Sequence, residues 1–446
     1  MNGKLYNDIL ALLHREVKPA LGCTEPIAVA IAVAKGCEAL RPLQPYRINV
    51  AVSANILKNA MGVGVPGTGM VGLPIATALA MVCGNAEYGM EVLKDLTAKD
   101  VTAAKAYLAA GEAPSSETVH ISLADTQYKL YIEAECFFRE PNGTQHRTFT
   151  VIRDAHDTIV HYEMDGRVEI DDNCEKSTVG DITDSPERNL SPDFNPTIRE
   201  IHDFALHADM DDIQFILDSV DMNKALAKEG LLHKYGLQVG RTIQSGEHRN
   251  IFGHGLLTHC MAMTAAASDA RMAGCTLPAM ANSGSGNQGI TVTMPVVAAA
   301  EQLMSSFDEL ARALVLSHLI AIHIKTYLGK LSALCGCVIA STGSACGIVM
   351  LSGGGYDQIC YAVKNMIGNI TGMVCDGAKV GCAMKVASGV SSAVQSAMLA
   401  LDNICISGLD GIIEDDVEKT IRNLGTIGSQ GMLTTDKMIL DIMVCK

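Results

Sequence analysis

The sequence contains no tryptophan, only 8 phenylalanines and 11 tyrosines, and charged residues at no more than 19%. With hydrophobic residues at 48%, the core must be assembled from Ala, Val, Ile, Leu and Met, a composition that favours closely packed helices. A basic excess is also missing. The formal net charge is −15, so there is no cationic surplus to displace counterions from a phosphate backbone, and nucleic acid is not an expected partner. Neither C-x-x-C nor H-E-x-x-H occurs, which removes the zinc-ribbon, thioredoxin-like and zincin readings. The opening residues Met1-Asn-Gly-Lys-Leu-Tyr-Asn-Asp lack the basic-then-apolar layout of a signal peptide. The 15 cysteines, an odd number, therefore read as thiols of a reducing cytoplasm, some buried as small hydrophobes and a few used as ligands, rather than as a disulfide framework.

Charge is absent over three long stretches: between Lys58 and Glu87, between Arg271 and Glu301, and between Lys330 and Asp357. Each has the length of a bilayer span. All three are dense in glycine and carry Ser, Thr, Asn or Pro, groups that a lipid-facing helix would leave unsatisfied. They read instead as buried, backbone-exposing segments that meet at one pocket of a protein without a membrane partner.

At 446 residues the chain has room for two or three average domains or one large two-lobed enzyme. Helical spacing covers residues 5 to 16 and 25 to 40, with Thr24-Glu-Pro26 as a helix start and Cys23 at its mouth. Arg47 to Ser53 alternates as a strand, Ala54 to Met61 forms a short helix, and 72 to 110 is helical. From Thr118 to about Met164 alternating runs separated by turn residues such as Asn142-Gly143 predict an antiparallel sheet. Residues 165 to 195 are an acidic, proline-bearing connection, and helices dominate beyond Ile198. The expected architecture is α+β: a predominantly helical core with a small inserted antiparallel β-sheet lobe. It divides into an N-terminal helical part (1–115), the β lobe with its connection (116–195) and a C-terminal helical catalytic part (196–446).

Three glycine runs match G-x-G-x-x-G: Gly62 to Gly67, Gly67 to Gly72 and Gly284 to Gly289. The first two follow a helix, and the third follows Thr276-Leu-Pro-Ala-Met-Ala-Asn, not a strand, so no NAD site is expected. The segment Asn282 to Gly289 reads either as a turn of bare N–H groups with Ser283, Ser285, Asn287 and Gln288, able to hold a small carboxylate, or as close helix packing at small residues. Cys375 and Cys382 stand in Thr371-Gly-Met-Val-Cys-Asp-Gly-Ala-Lys-Val-Gly-Cys382, forty residues after Cys335-Gly-Cys337. On composition these are buried inert thiols. Gly372, Gly377 and Gly381 let backbone approach them, and Asp376 and Lys379 place charge beside them. Cys23, at a helix N-terminus with its thiolate favoured by the dipole and opposed by Glu25, suits acid/base work or a structural role. His254, between glycines 253 and 255, reads as a solvent or core histidine before a base.

Leu21-Gly-Cys-Thr-Glu-Pro26, the Asn55 to Gly69 segment, Asn282 to Gly289, and Thr371 to Lys379 with Cys382 together resemble the iron–sulfur L-cysteine desulfidases of archaea and anaerobic or facultative bacteria, over nearly the whole chain. That family is related to the α chain of the iron–sulfur L-serine dehydratases. The resemblance implies conversion of L-cysteine and water to pyruvate, ammonia and hydrogen sulfide without pyridoxal phosphate. It implies a [4Fe-4S] cluster on Cys335, Cys375 and Cys382, with Cys337 competing for the first position, and Cys23 as the active-site acid/base. Asn55, Lys58, Ser283, Ser285, Asn287, Gln288 and Lys379 are the expected substrate-binding residues for a small amino acid. Cys445, followed by Lys446, is a frayed tail or a further ligand. A serine-directed β-eliminase, a non-catalytic thiol-rich redox or iron sensor, and a structural zinc site stand as other readings, and association as a homodimer is left open.

Overall fold

The computed structural model describes residues 2–110, 118–171, 194–329 and 332–445. The fold is α+β, as expected, and two large cores dominate its hydrophobic interior. One core belongs to the N-terminal lobe. The strands are β1 (Val17–Ala20), β2 (Arg47–Val52), β3 (Val119–Leu123), β4 (Tyr131–Arg139), β5 (Gln145–Arg153), β6 (Ile159–Met164), β7 (Arg167–Asp171) and β8 (Ala279–Asn282). Six of them form one sheet in the order β3-β2-β4-β5-β6-β7. Alternation explains the buried face: Ile48, Val50 and Val52 of β2 are fully buried, as are Ile132, Ala134, Cys136 and Phe138 of β4. The sheet departs from the purely antiparallel expectation, because β2 enters between β3 and β4 and pairs with β3 in parallel. A strand from the N-terminal segment thus sits inside the lobe. The connection expected over 165–195 lies, from 172 to 193, outside the described residues.

Against this face packs the helix Thr24–Glu38, whose Ile27 to Ala34 are buried on every side. An all-round apolar helix needs cover on both flanks, and the helix Leu73–Cys83 supplies the other one.

The second core draws on both chain ends. Ile9, Leu12 and Leu13 of the first helix, Gly3–Glu16, join the C-terminal helices; burying each contributes about 1.5–3 kcal/mol. At its centre runs the helix Gly336–Leu351, buried from Cys337 to Val349 and built largely of Ala, Ser, Gly and Thr. It contacts the helices Gly286–Leu303, Phe307–Leu328, Tyr356–Ile370 and Cys382–Leu401. The last helix, Leu433–Val444, returns to the N-terminal lobe and packs on Ala54–Ala60. Among the described residues no helix is long and apolar enough to cross a membrane.

The uncharged stretches converge between the two cores. Gly64 lies against the backbone of Ala273 and Gly274, Gly62 bridges to Lys379, and Gly336 lies against the Gln288 side chain. A small apolar cluster of Cys23, Val63 and Met272, with Ala378 and Cys382 packed on it, marks the junction.

Candidate functional site

Four helix starts meet at this junction. Cys23 caps Thr24–Glu38, Ser285 caps Gly286–Leu303, Cys335 caps Gly336–Leu351, and Cys382 opens Cys382–Leu401. Each start carries unsatisfied N–H groups and partial positive charge, so the junction favours anions. Arg271, 4% exposed, ties the starts together. Its Nη2 donates to the Gly22 carbonyl at 2.8 Å and its Nη1 to Asn287 Oδ1 at 3.4 Å, and the guanidinium charge lies within electrostatic reach of the Cys23 thiol. Gly286 is required beside it: a Cβ there would stand 2.5 Å from Arg271 Cζ.

The cysteine segments are joined by backbone pairing. Cys335 N donates to Met373 O at 3.0 Å and Cys375 N to Ala333 O at 2.7 Å, around a bridge between Leu334 and Val374. Cys335 is thus opposite residue 373, which makes Cys375 its diagonal neighbour on the same face, about 7–8 Å away. Cys382 follows one turn later, its amide donating to Lys379 O at 2.9 Å, and its thiol feels the charges of both Cys335 and Cys375. The turn depends on Gly377, at φ +88°, because a side chain there would strike the Lys58 carbonyl. The Cys337 thiol is close to that of Cys335 but is also held by the neighbouring helix, with Sγ 3.1 Å from Lys385 O, 3.6 Å from Ser341 Oγ and packed on Gly389.

Burial governs the protons. It pushes the Cys23 thiol up to about 12 against the pull of Arg271, and Cys382 up to about 11, and it raises Cys375. The mutual approach of the Cys335 and Cys337 thiols raises the first and lowers the second, so Cys337 is the more acidic of that pair. Beside them, burial acts to raise Asp376, but the ammonium groups of Lys379 and Lys385 outweigh it and hold the carboxyl at about 2.

Among the described residues no three His, Cys, Asp or Glu side chains close on a point fit for a single ion. A cluster asks for a different arrangement, with each thiolate on its own iron. Cys335 and Cys375 on one face, with Cys382 within electrostatic reach at a helix start, form a donor set that suits such a group.

The expected substrate-binding residues divide. Asn287 and Gln288 lie at the junction, but their polar groups are largely engaged: Asn287 with Arg271 and Met272, and Gln288 Nε2 with Asn282 Oδ1 at 2.7 Å. Gln288 Oε1 is buried without a partner. Ser285 Oγ accepts from Gln288 N as a helix cap at 3.3 Å. Lys58, 2% exposed, is ion-paired with Asp436 of the C-terminal helix, and Lys379 with Asp376. Asn55 is half-buried one turn before Lys58 and Asn59. His254 is exposed at the far end of the Leu256–Met272 helix, roughly 25 Å along the axis from Arg271. Cys445 is exposed at the end of the last helix, although Met443, two residues earlier, comes within contact distance of Gly377.

Ser283, at φ +48°, opens instead onto a cleft of about 550 Å³ between the lobes. Thr24, Gly284, Ile322 and Lys325 also line it, with Arg15 and His156 at its sides. A strand feeds the third glycine run after all, since β8 precedes Gly284; but β8 pairs antiparallel with β1 in a two-stranded ribbon, not in the parallel βαβ unit of a dinucleotide site.

Sequence reasoning did not single out Arg271, Lys385 or Lys325 and saw Glu25 only as a modifier of Cys23. Arg271 closes one of the uncharged stretches, and that position was its one available signal. Lys325 lies one helical repeat after the buried His318 and shares its face with Ile322.

A family model described as serine dehydratase alpha chain matches residues 87–441. The chain is similar over its full length to curated proteins that carry the name "UPF0597 protein". One from Bacteroides thetaiotaomicron is 49% identical over 439 residues, covering 98% of this chain and 97% of the relative. One from Phocaeicola vulgatus is 49% identical, with 98% and 97% covered, and one from Oleidesulfovibrio alaskensis is 48% identical, with 99% and 98% covered.

Proposed function

The chain belongs to the serine dehydratase alpha chain family, and from that premise we propose that it is a cytoplasmic L-cysteine desulfidase, a carbon–sulfur lyase releasing sulfide, pyruvate and ammonia. The observation that carries the reading is the meeting of Cys335, Cys375 and Cys382 with Cys23 at one buried junction of four helix starts. When bound on those three thiolates, a [4Fe-4S] cluster supplies an open iron, a Lewis acid toward the substrate sulfur.

The remaining chemistry belongs to the chain. β-Elimination takes the α-proton from one carbon and the thiolate from the next, giving aminoacrylate, which tautomerises and hydrolyses without further help. Cys23 holds a proton at Sγ at neutral pH, and the Arg271 charge stabilises the thiolate whenever that proton leaves. Thiol and guanidinium together make an acid/base unit beside the cluster-binding cysteines. The helix starts favour the negative charge that builds on substrate as the α-proton departs. Lys385 and Lys379, tethered by Asp376, keep the cysteine loop cationic. Cys335 is favoured over Cys337 as a ligand, because it shares a face with Cys375 whereas Cys337 is turned into the contact with the Cys382–Leu401 helix.

The test is anaerobic reconstitution with iron and sulfide, followed by side-by-side turnover of L-cysteine and L-serine. Release of sulfide and pyruvate from cysteine, with cluster absorbance lost in Cys335→Ser, Cys375→Ser and Cys382→Ser but kept in Cys337→Ser, is the expected result. The family's own description favours a second reading, a serine dehydratase, and faster turnover of serine than cysteine would establish it instead. A protein that binds a cluster but turns over neither amino acid would leave the sensor reading.

A further inference from the structure

We infer that Lys325 and Glu25 read the two charges of the substrate amino acid, Lys325 its carboxylate and Glu25 its ammonium group. The ligand's identity rests on the lyase reading; the placement of the two residues does not.

Elimination points to Lys325. A carboxylate entering the junction needs a cation; Lys18 and Lys129 are exposed, and the other buried or half-buried cations there are engaged: Lys58 with Asp436, Lys379 and Lys385 with Asp376, Arg15 with Glu16, and Arg271 with Gly22 and Asn287. Among the described residues Lys325 has no ion pair, although it lines the cleft between the lobes and lies within electrostatic reach of Cys335, Cys375 and Glu25. The face of the helix Phe307–Leu328 that carries it is turned toward the site, since His318 on the same face accepts from Asn282 at 3.1 Å, with the ring nitrogen as acceptor, and Ile322 lines the cleft.

Glu25 is the opposite charge. It is 8% exposed, and among the described residues its carboxylate is steadied by neutral donors only, Asn59 Nδ2 at 2.9 Å and Thr24 Oγ1 at 3.0 Å. Thr24 itself lines the cleft. A buried carboxylate and a half-buried ammonium held near each other without a direct pairing cost stability unless something bridges them. A small zwitterion is the bridge that matches both. With its carboxylate on Lys325 and its ammonium on Glu25, its remaining substituent is left for the cysteines within electrostatic reach, Cys335 and Cys375 from Lys325 and Cys23 from Glu25.

The test uses full-length protein purified and reconstituted anaerobically, and calorimetric titration with two unreactive probes that each lack one charge. 3-Mercaptopropionate lacks the ammonium group and cysteamine lacks the carboxylate. Lys325→Met is expected to weaken 3-mercaptopropionate by about tenfold or more, the worth of one charge-assisted hydrogen bond, and to leave cysteamine within about threefold. Glu25→Gln is expected to do the reverse. Lys325→Arg and Glu25→Asp, which keep the charge, serve where the first variants fold poorly, and should show the same split in smaller measure. Equal weakening of both probes, or of neither, overturns the inference. A clear split in a protein that releases no pyruvate from any amino acid would overturn the lyase reading alone; turnover without the split would overturn this inference alone.

Discussion

Replacing Gly286 by alanine is the sharpest perturbation of the junction. The added methyl would stand 2.5 Å from Arg271 Cζ and nearer still to Nε, where an ordinary contact begins near 3.4 Å, so the guanidinium must retreat by at least about 0.9 Å, the difference at Cζ. Arg271 is buried and fixed by Gly22 and Asn287, so such a retreat disturbs the charge that steadies the Cys23 thiolate. A displacement of about 1 Å at an acid/base unit costs roughly 10²-fold in rate, or about 2.7 kcal/mol of transition-state stabilisation. The assay is a double-mutant cycle on kcat/KM for cysteine, with circular dichroism to show that each variant is folded. Gly286→Ala should cost about a hundredfold in the wild-type background. In an Arg271→Met background it should cost only about threefold, because the group it displaces is gone. If it costs a hundredfold in both backgrounds, the effect runs through the helix start and not through Arg271, and the argument fails.

Other expectations follow from single contacts. Cys23→Ser should keep cluster absorbance while lowering kcat by roughly 10²–10⁴-fold, the usual worth of a positioned acid/base group; equal loss of cluster and activity would make Cys23 structural. Asp436→Ala leaves the buried Lys58 ammonium unpaired, which should destabilise the protein by about 3 kcal/mol, the low end for a broken buried pair because Asp436 retains some exposure, and should speed proteolysis of the last helix; Lys58→Met combined with Asp436→Leu should recover most of that loss. Asp269 is fully buried, and burial raises its carboxyl from 3.8 to about 6. The folded state therefore binds the proton more tightly than the unfolded one, and stability should fall as pH rises from about 4 to about 6, by at most about 3 kcal/mol. Asp269→Asn, followed by chemical denaturation at both pH values, should flatten that slope; an unchanged slope would assign the effect to another group.

Much of the fold was legible because its signals are local. The alternation in Arg47 to Ser53 and in the runs from Thr118 to Met164 marks strands by side-chain period alone, and Thr24-Glu-Pro26 marks a helix start by its proline in the first turn. The place of β2 between β3 and β4 was not legible, since strand order depends on pairing between segments some seventy residues apart. The short strand β8 was missed because four residues pairing only with Val17–Ala20 carry no period long enough to read.

The site shows the same division. Glycine punctuation and neighbouring charge drew attention to Cys375 and Cys382, the family resemblance added Cys335 and Cys23, and the lack of charge across three stretches implied that their neighbours would be buried together. Which charges remain free there is decided only by the tertiary structure. Lys58 looked like a substrate residue because it stands in the Asn55 to Gly69 segment that carries the family resemblance, and Lys379 because it lies between Cys375 and Cys382, yet Asp436 and Asp376 engage them. Lys325 and Arg271 looked ordinary, yet one is left facing the cleft and the other holds the helix starts together. Sequence sets what each side chain can donate, accept or ionise. Which donors and charges are already satisfied by partners hundreds of residues away is a property of the packed junction alone, because a lysine's partner is chosen by distance in space and not along the chain.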